Sequence, residues 1–169
     1  MFVDPSPALR ARTRSVEETR AVGAALAPLL RASDVVALSG DLGAGKTAFV
    51  QGVAKGLGSA DHVASPTFTL VRQYDGGRLQ VLHMDIYRLD RVQDVLDLGF
   101  DDLLDGTGVV LIEWGDVIEG ILPEEHLVVR LTFPPGGDAD LRELGFDPRG
   151  QRWAVRTEAI RAAIAPWRD

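Results

Sequence analysis

The spacing of apolar residues changes several times along this chain, and each change marks an element. From Val16 to Leu30 apolar positions recur at helical spacing. Ser15 precedes them with Glu18 three residues on, the signature of a capped helix start. Pro28 should disturb the last turn, because its ring clashes with the preceding turn and removes a backbone donor. Val35 to Leu38 is a short unbroken apolar run, the pattern of a parallel strand buried on both faces. A glycine-rich loop follows, then a helix from about Lys46 to Gly56.

Phe68 to Tyr74 and Arg78 to Asp85 read as two strands separated by an Asp75-Gly76-Gly77 turn. Arg91 to Leu98 reads as a short helix. Val109 to Ile112 is a second buried strand, ending in Glu113, and a short helical stretch follows near Asp116 to Gly120. Leu127 to Phe133 reads as a strand. Leu141 to Phe146 and Trp153 to Val155 read as a hairpin around Pro148-Arg149-Gly150, and Thr157 to Trp167 is helical in pattern. Strands and helices alternate in the centre and the tail is β-rich, so the expected fold is an α/β sandwich with a central mixed β-sheet flanked by helices.

Composition bounds the class. The 169 residues suit one domain, 1–169, better than two, and 46% apolar content supplies a core. Cysteine is absent, which excludes disulfides, thiolate metal sites and cysteine nucleophiles. No apolar run approaches a membrane span and the N-terminus lacks a secretory pattern, so a cytoplasmic protein with no membrane partner is the expectation. The formal net charge of −7 argues against a domain that grips nucleic acid by its phosphates unaided. Arg10, Arg12 and Arg14 alternate, and their plain reading is a solvated edge strand blunted by charge.

The segment Gly40-Asp41-Leu42-Gly43-Ala44-Gly45-Lys46-Thr47 matches the phosphate-loop pattern of glycine, four residues, then Gly-Lys-Thr. Glycines open backbone conformations closed to other residues and keep side chains away from the ligand. The backbone N–H groups of this loop can then point inward and converge on an anion at a helix N-terminus. Lys46 would reach the β- and γ-phosphates, and the Thr47 hydroxyl could bind Mg²⁺. A buried strand before the loop and a helix after it supply the required context, which makes the fold P-loop NTPase-like. Neither lysine of the chain, Lys46 or Lys55, stands in an Asn-Lys-x-Asp guanine motif, so ATP is the expected nucleotide.

Hydrolysis needs a carboxylate near the metal and a group that positions water. Asp85 and Glu113 end two apolar runs, and ligands in α/β sheets sit at the carboxyl ends of strands. Acidic residues at strand ends are ordinarily solvated turns, but Glu113 follows four apolar residues and Trp114 beside it could shield a site. Asp85 lies in the polar cluster His83-Met84-Asp85-Ile86-Tyr87-Arg88-Leu89, in which His83 alone reads as a satisfied half-buried histidine and not as a ligand. Thr67 and Thr69, about twenty residues past the loop, lie where nucleotide switches often carry a γ-phosphate-sensing threonine.

Taken together, Gly40 to Thr47, Ser65-Pro66-Thr67-Phe68-Thr69-Leu70-Val71, His83 to Leu89 and Ile112-Glu113-Trp114 resemble the TsaE family in order and spacing. TsaE proteins are P-loop ATPases needed for the threonylcarbamoyl modification of adenosine next to the tRNA anticodon. The resemblance runs from Val16-Glu17-Glu18-Thr19 to the strand near Leu131. It implies that Leu42 to Thr47 bind phosphates, that Thr47 and Glu113 hold Mg²⁺, and that Asp85 acts in hydrolysis or water positioning. Thr67 and Thr69 would belong to a switch-like segment, and Trp114 would lie beside the nucleotide. Ser15 to Thr19 fall where the family approaches the nucleoside, and Arg142 where it tends to place an arginine after a late strand. The implied partners are TsaB and TsaD, with tRNA engaged only indirectly. Two other readings of the loop stand beside this one. A small-molecule kinase would need an arginine-bearing lid, for which Arg88 and Arg91 are the nearest candidates. A nucleotide-gated binding module would need no catalysis.

Overall fold

The computed structural model describes residues 9–66, 71–75, 77–86, 92–97, 99–104 and 106–168. Among the described residues seven strands form one sheet: β1 (Leu9–Thr13), β2 (Val35–Ser39), β3 (Val71–Tyr74), β4 (Val81–Asp85), β5 (Val109–Glu113), β6 (His126–Thr132) and β7 (Arg142–Arg149), in the spatial order β1-β7-β6-β2-β5-β4-β3. Its centre is parallel: β2 lies between β5 and β6, and β4 runs parallel to β5. The pairs β3–β4, β6–β7 and β1–β7 are antiparallel, which makes the sheet mixed, as expected.

Helices cover both faces. Val36, Leu38, Leu111 and Val129 point to the side covered by α1 (Val16–Leu26) and α2 (Lys46–Gly56). Val35, Val110, Ile112 and Met84 point to the other side, against α3 (Val92–Asp97), α4 (Phe100–Leu104) and the 3₁₀ segment Gly115–Ile121. Runs of consecutive apolar residues are what a sheet covered on both faces requires. The first layer is unusually close. A Cβ on Gly52 would lie 1.9 Å from the Arg20 carbonyl oxygen, so α2 can seat on α1 only with glycine there.

The start of α1 is capped as expected. Ser15 Oγ accepts from Glu18 N at 3.1 Å, and the Glu18 carboxylate accepts from Arg14 N at 2.6 Å. Pro28 ends the α-helix: Ala27–Leu29 continue as a 3₁₀ turn. Arg10 and Arg12 share one face of the edge strand β1, with Glu143 of β7 at 3.5 and 3.6 Å, while Arg14 lies beyond the strand.

Two expectations need correction. The β3–β4 hairpin forms, but its connection extends past Asp75-Gly76-Gly77 to Gln80, with Gly76 outside the described residues. Arg78 is drawn out of the strand because its N–H donates to Leu57 O and its guanidinium to Ala27 O and Leu30 O. The proposed hairpin around Pro148-Arg149-Gly150 does not exist. β7 runs on through Pro148 to Arg149, beyond its last β1 pair at Phe146, a position where a missing N–H is tolerated. Trp153 lies in α5 (Gln151–Ala154) and not in a strand. Arg156 decides this. Its guanidinium forks onto Asp34 at 2.6 and 2.9 Å, donates to the Leu29 and Arg152 carbonyls, and stacks 3.8 Å over the Trp153 ring. That ion pair fixes the turn between α5 and α6 (Thr157–Ala163) more strongly than strand propensity can oppose.

No helix among the described residues is long and apolar enough to cross a membrane.

Candidate nucleotide site

Parallel strands β2 and β5 end side by side, and the glycine-rich loop leaves β2 at that edge. Two glycines there are obligatory for different reasons. Gly40 has φ 146°, and a Cβ on it would lie 2.4 Å from Leu131 O. Gly45 has φ 107° and is the residue that opens α2, so the loop turns directly into a helix N-terminus. Ala44 is buried, whereas Leu42 is exposed at the loop tip.

Lys46 and Thr47, the first two residues of α2, face inward. Lys46 is only 5% exposed, and its ammonium donates to the Gly40 and Asp41 carbonyls at 2.6 and 3.0 Å. It also lies 4.0 Å from the centre of the Trp114 ring, a cation–π contact. Trp114 directly follows β5 with φ 64°, a left-handed conformation that is uncommon for a bulky residue and characteristic of functional sites. That turn carries the indole back over the lysine.

The Thr47 hydroxyl donates to Glu113 Oε1 at 2.8 Å. Glu113 ends β5 and is paired in register with Asp85, the last residue of β4. Both carboxylates are buried, at 3% and 5% exposure, and Asp85 Oδ2 accepts from the Ser65 hydroxyl at 2.7 Å. The other Glu113 oxygen meets His83 Nε2 at 2.6 Å, and His83 Nδ1 lies 3.0 Å from the Tyr74 hydroxyl. Burial pushes the Tyr74 phenol above its ordinary value, and its hydroxyl donates to Ala64 O at 3.1 Å.

The anticipated residues therefore divide. Lys46, Thr47, Glu113 and Trp114 meet, and Asp85 stands at the adjoining strand end. Thr67 and Thr69 lie outside the described residues, as do Arg88 and Arg91. Arg142, at the start of β7, reaches the loop: it donates to Gly43 O at 3.3 Å and stacks 4.1 Å from the Phe133 ring. Thr19 of α1 lies against the loop as well, 3.4 Å from where a Cβ on Gly45 would be. Tyr74 carries no signal in the sequence, and His83, which reads there as a half-buried histidine, is fully buried here.

A hydroxyl and a carboxylate side by side, on hard oxygen atoms, suit Mg²⁺, which takes few protein ligands and keeps water and phosphate oxygens for the rest. Among the described residues no group of three or more His, Cys, Asp or Glu could hold a metal ion unaided.

A sequence model of one family, described as threonylcarbamoyl adenosine biosynthesis protein TsaE, matches residues 13–137. This chain belongs to the TsaE family. Among its relatives is the tRNA threonylcarbamoyladenosine biosynthesis protein TsaE of Bacillus subtilis (strain 168), 42% identical over 152 residues that cover 90% of this chain and 93% of that one. The TsaE protein of Treponema pallidum (strain Nichols) is 41% identical over 133 residues, 79% of this chain and 98% of the relative. The crystal structure of Bacillus subtilis YdiB superposes with a TM-score of 0.77 at 39% identity, covering 90% of this chain and 93% of that one. The TsaE match bears out the resemblance read from the motifs, and the seven-stranded sandwich is the fold that resemblance implies.

Proposed function

We propose that this chain binds ATP with Mg²⁺ and hydrolyses it, as an accessory to threonylcarbamoyladenosine modification of tRNA in the cytoplasm. The observation that carries the reading is the Thr47–Glu113 contact of 2.8 Å at the mouth of the glycine-rich loop. It joins the two side chains that a nucleotide-bound Mg²⁺ would need, one from the start of α2 and one from the end of β5, which are neighbours only in the fold.

Each residue then has a role. The N–H groups from Leu42 to Thr47 would bind the phosphate chain, and Lys46 would exchange its bonds to the Gly40 and Asp41 carbonyls for the terminal phosphates. Thr47 and Glu113 would hold Mg²⁺, which supplies charge neutralisation of the phosphate oxygens. Asp85, held by Ser65, would orient the attacking water or take its proton. The Trp114 ring would exclude solvent from the lysine side, where an electrostatic contact gains strength as water leaves. Hydrolysis is slow in the chain alone and is accelerated by partners, for which TsaB and TsaD are the proposal. The net charge of −7 fits a protein that meets tRNA only through them.

The test is ATP turnover with the TsaB and TsaD proteins of the same source present. Stimulation by the partners, abolished in Lys46→Ala and Glu113→Ala, supports the reading. Turnover retained in both variants defeats the assignment of these residues.

A further inference from the structure

His83 is the least expected side chain near the site. It stands in the middle of β4, in register with Leu111 of β5, on the face packed against α1 and α2, and it has no solvent exposure. An apolar residue would suit that layer better, because a buried imidazole costs stability unless both nitrogens find partners. Both do, and neither partner is a backbone group. Nε2 lies 2.6 Å from Glu113 Oε2, and Nδ1 lies 3.0 Å from the Tyr74 hydroxyl of β3, paired with β4.

The consequence concerns Glu113. A glutamate has three rotatable bonds, and a single contact to Thr47 would leave its carboxylate free to turn. Here the two oxygens are held from opposite sides, Oε1 by Thr47 and Oε2 by His83. An ionised carboxylate only accepts hydrogen bonds, so Nε2 carries the hydrogen and the imidazole ring orientation sets the carboxylate plane. Tyr74 in turn sets the ring. Its hydroxyl oxygen lies 3.0 Å from Nδ1 and 3.1 Å from Ala64 O, so the chain of contacts ends on the backbone next to Ser65, the residue that holds Asp85.

We propose that His83, backed by Tyr74, is a positioning residue that holds the Glu113 carboxylate in the orientation that receives Mg²⁺ beside Thr47. The inference rests on the nucleotide reading above and assigns a new role within it. Outer-shell groups of this kind change metal affinity by about tenfold or more when removed, without touching the metal.

Binding of a fluorescent ADP analogue to the intact protein, in EDTA and across a Mg²⁺ series, separates this from a purely structural histidine. His83→Leu and Tyr74→Phe should bind the analogue in EDTA within about twofold of wild type. The gain in affinity that Mg²⁺ confers should fall about tenfold in His83→Leu, and by a smaller factor in Tyr74→Phe. His83→Gln, whose amide can still donate to Oε2, should recover most of the gain. A merely structural role lowers the melting temperature and leaves the Mg²⁺-conferred gain unaltered, and that result overturns the proposal. If His83→Leu does not fold, Tyr74→Phe decides by the same criterion, since it removes one oxygen and little volume. Wild-type protein that binds no analogue under any condition overturns the nucleotide reading and this inference together. Normal wild-type binding with indifferent variants overturns this inference alone.

Discussion

Replacing Glu113 by glutamine keeps the shape of the side chain and removes its charge, and the surroundings can absorb the change. The amide oxygen still accepts from Thr47 Oγ1, now at 2.8 Å, and the amide nitrogen faces His83 Nε2, now at 2.6 Å. His83 then needs its hydrogen on Nδ1, where the Tyr74 hydroxyl accepts it and donates its own to Ala64 O. Every polar side-chain atom of the Thr47–Glu113–His83–Tyr74 network remains satisfied, so global stability should change by less than about 1 kcal/mol, the net value of one ordinary hydrogen bond. Affinity for the metal should change far more. A unit charge 4 Å from another is worth about 4 kcal/mol at the effective dielectric of a protein site, and Mg²⁺ is doubly charged. Even if phosphate and water recover most of that, at least about 1.4 kcal/mol should be lost, a tenfold weakening. Calorimetric titration with ADP, with and without Mg²⁺, reads this directly, and a thermal melt checks the fold. Glu113→Gln with wild-type affinity for Mg·ADP would place the metal elsewhere. A large loss of stability would show that the hydrogen-bond inventory is wrong.

Three further outcomes follow from other parts of the fold. Arg156→Ala leaves the buried Asp34 carboxylate, which is 1% exposed, only the Arg31 N–H at 2.7 Å and the Arg152 guanidinium at 3.8 Å, and should destabilise the protein by about 3 kcal/mol in urea unfolding; a loss below about 1 kcal/mol would contradict the pairing. Gly52→Ala should cost about 3 kcal/mol or more, because its methyl group would fall 1.9 Å from Arg20 O and force α1 from α2, a change visible in the melting temperature. Tyr74 gives a pH dependence. Its folded phenol titrates above the ordinary 10.0, so above that pH the unfolded chain has released a proton that the folded chain still holds. Stability should therefore decline as pH rises past about 10 towards the raised folded value, and Tyr74→Phe should remove that part of the decline.

What the sequence reveals and what it hides have separate physical causes. Gly40 to Thr47, Glu113 and Asp85 are legible as candidates because a glycine-rich loop of this spacing and strand-end carboxylates are local patterns, each contained in a few consecutive residues. The β2 and β5 strands are legible because burial on both faces leaves unbroken apolar runs from Val35 to Leu38 and from Val109 to Ile112. Arg156 is not, since its partner Asp34 lies 122 positions away and no spacing rule links them. The same contact explains why Trp153 to Val155 read as a strand and fold as a helical turn: an aromatic and a β-branched residue suggest extension locally, and a remote carboxylate overrides them. His83 and Tyr74 are visible only through register. Alternation puts His83 on the same face as Asp85, the β4–β5 pairing brings it to Glu113, and the β3–β4 pairing brings Tyr74 to its other nitrogen.

The central claim is that backbone amides from Leu42 to Thr47, with Lys46 at their side, bind a nucleoside triphosphate. Titrating the intact protein with Mg·ATP in a calorimeter tests it most directly. Saturable association with one nucleotide per chain is expected, weakened at least about tenfold in Lys46→Ala through loss of a charged partner. Folded wild-type protein that gives no heat of binding with Mg·ATP, either alone or with the proposed partners, would contradict it.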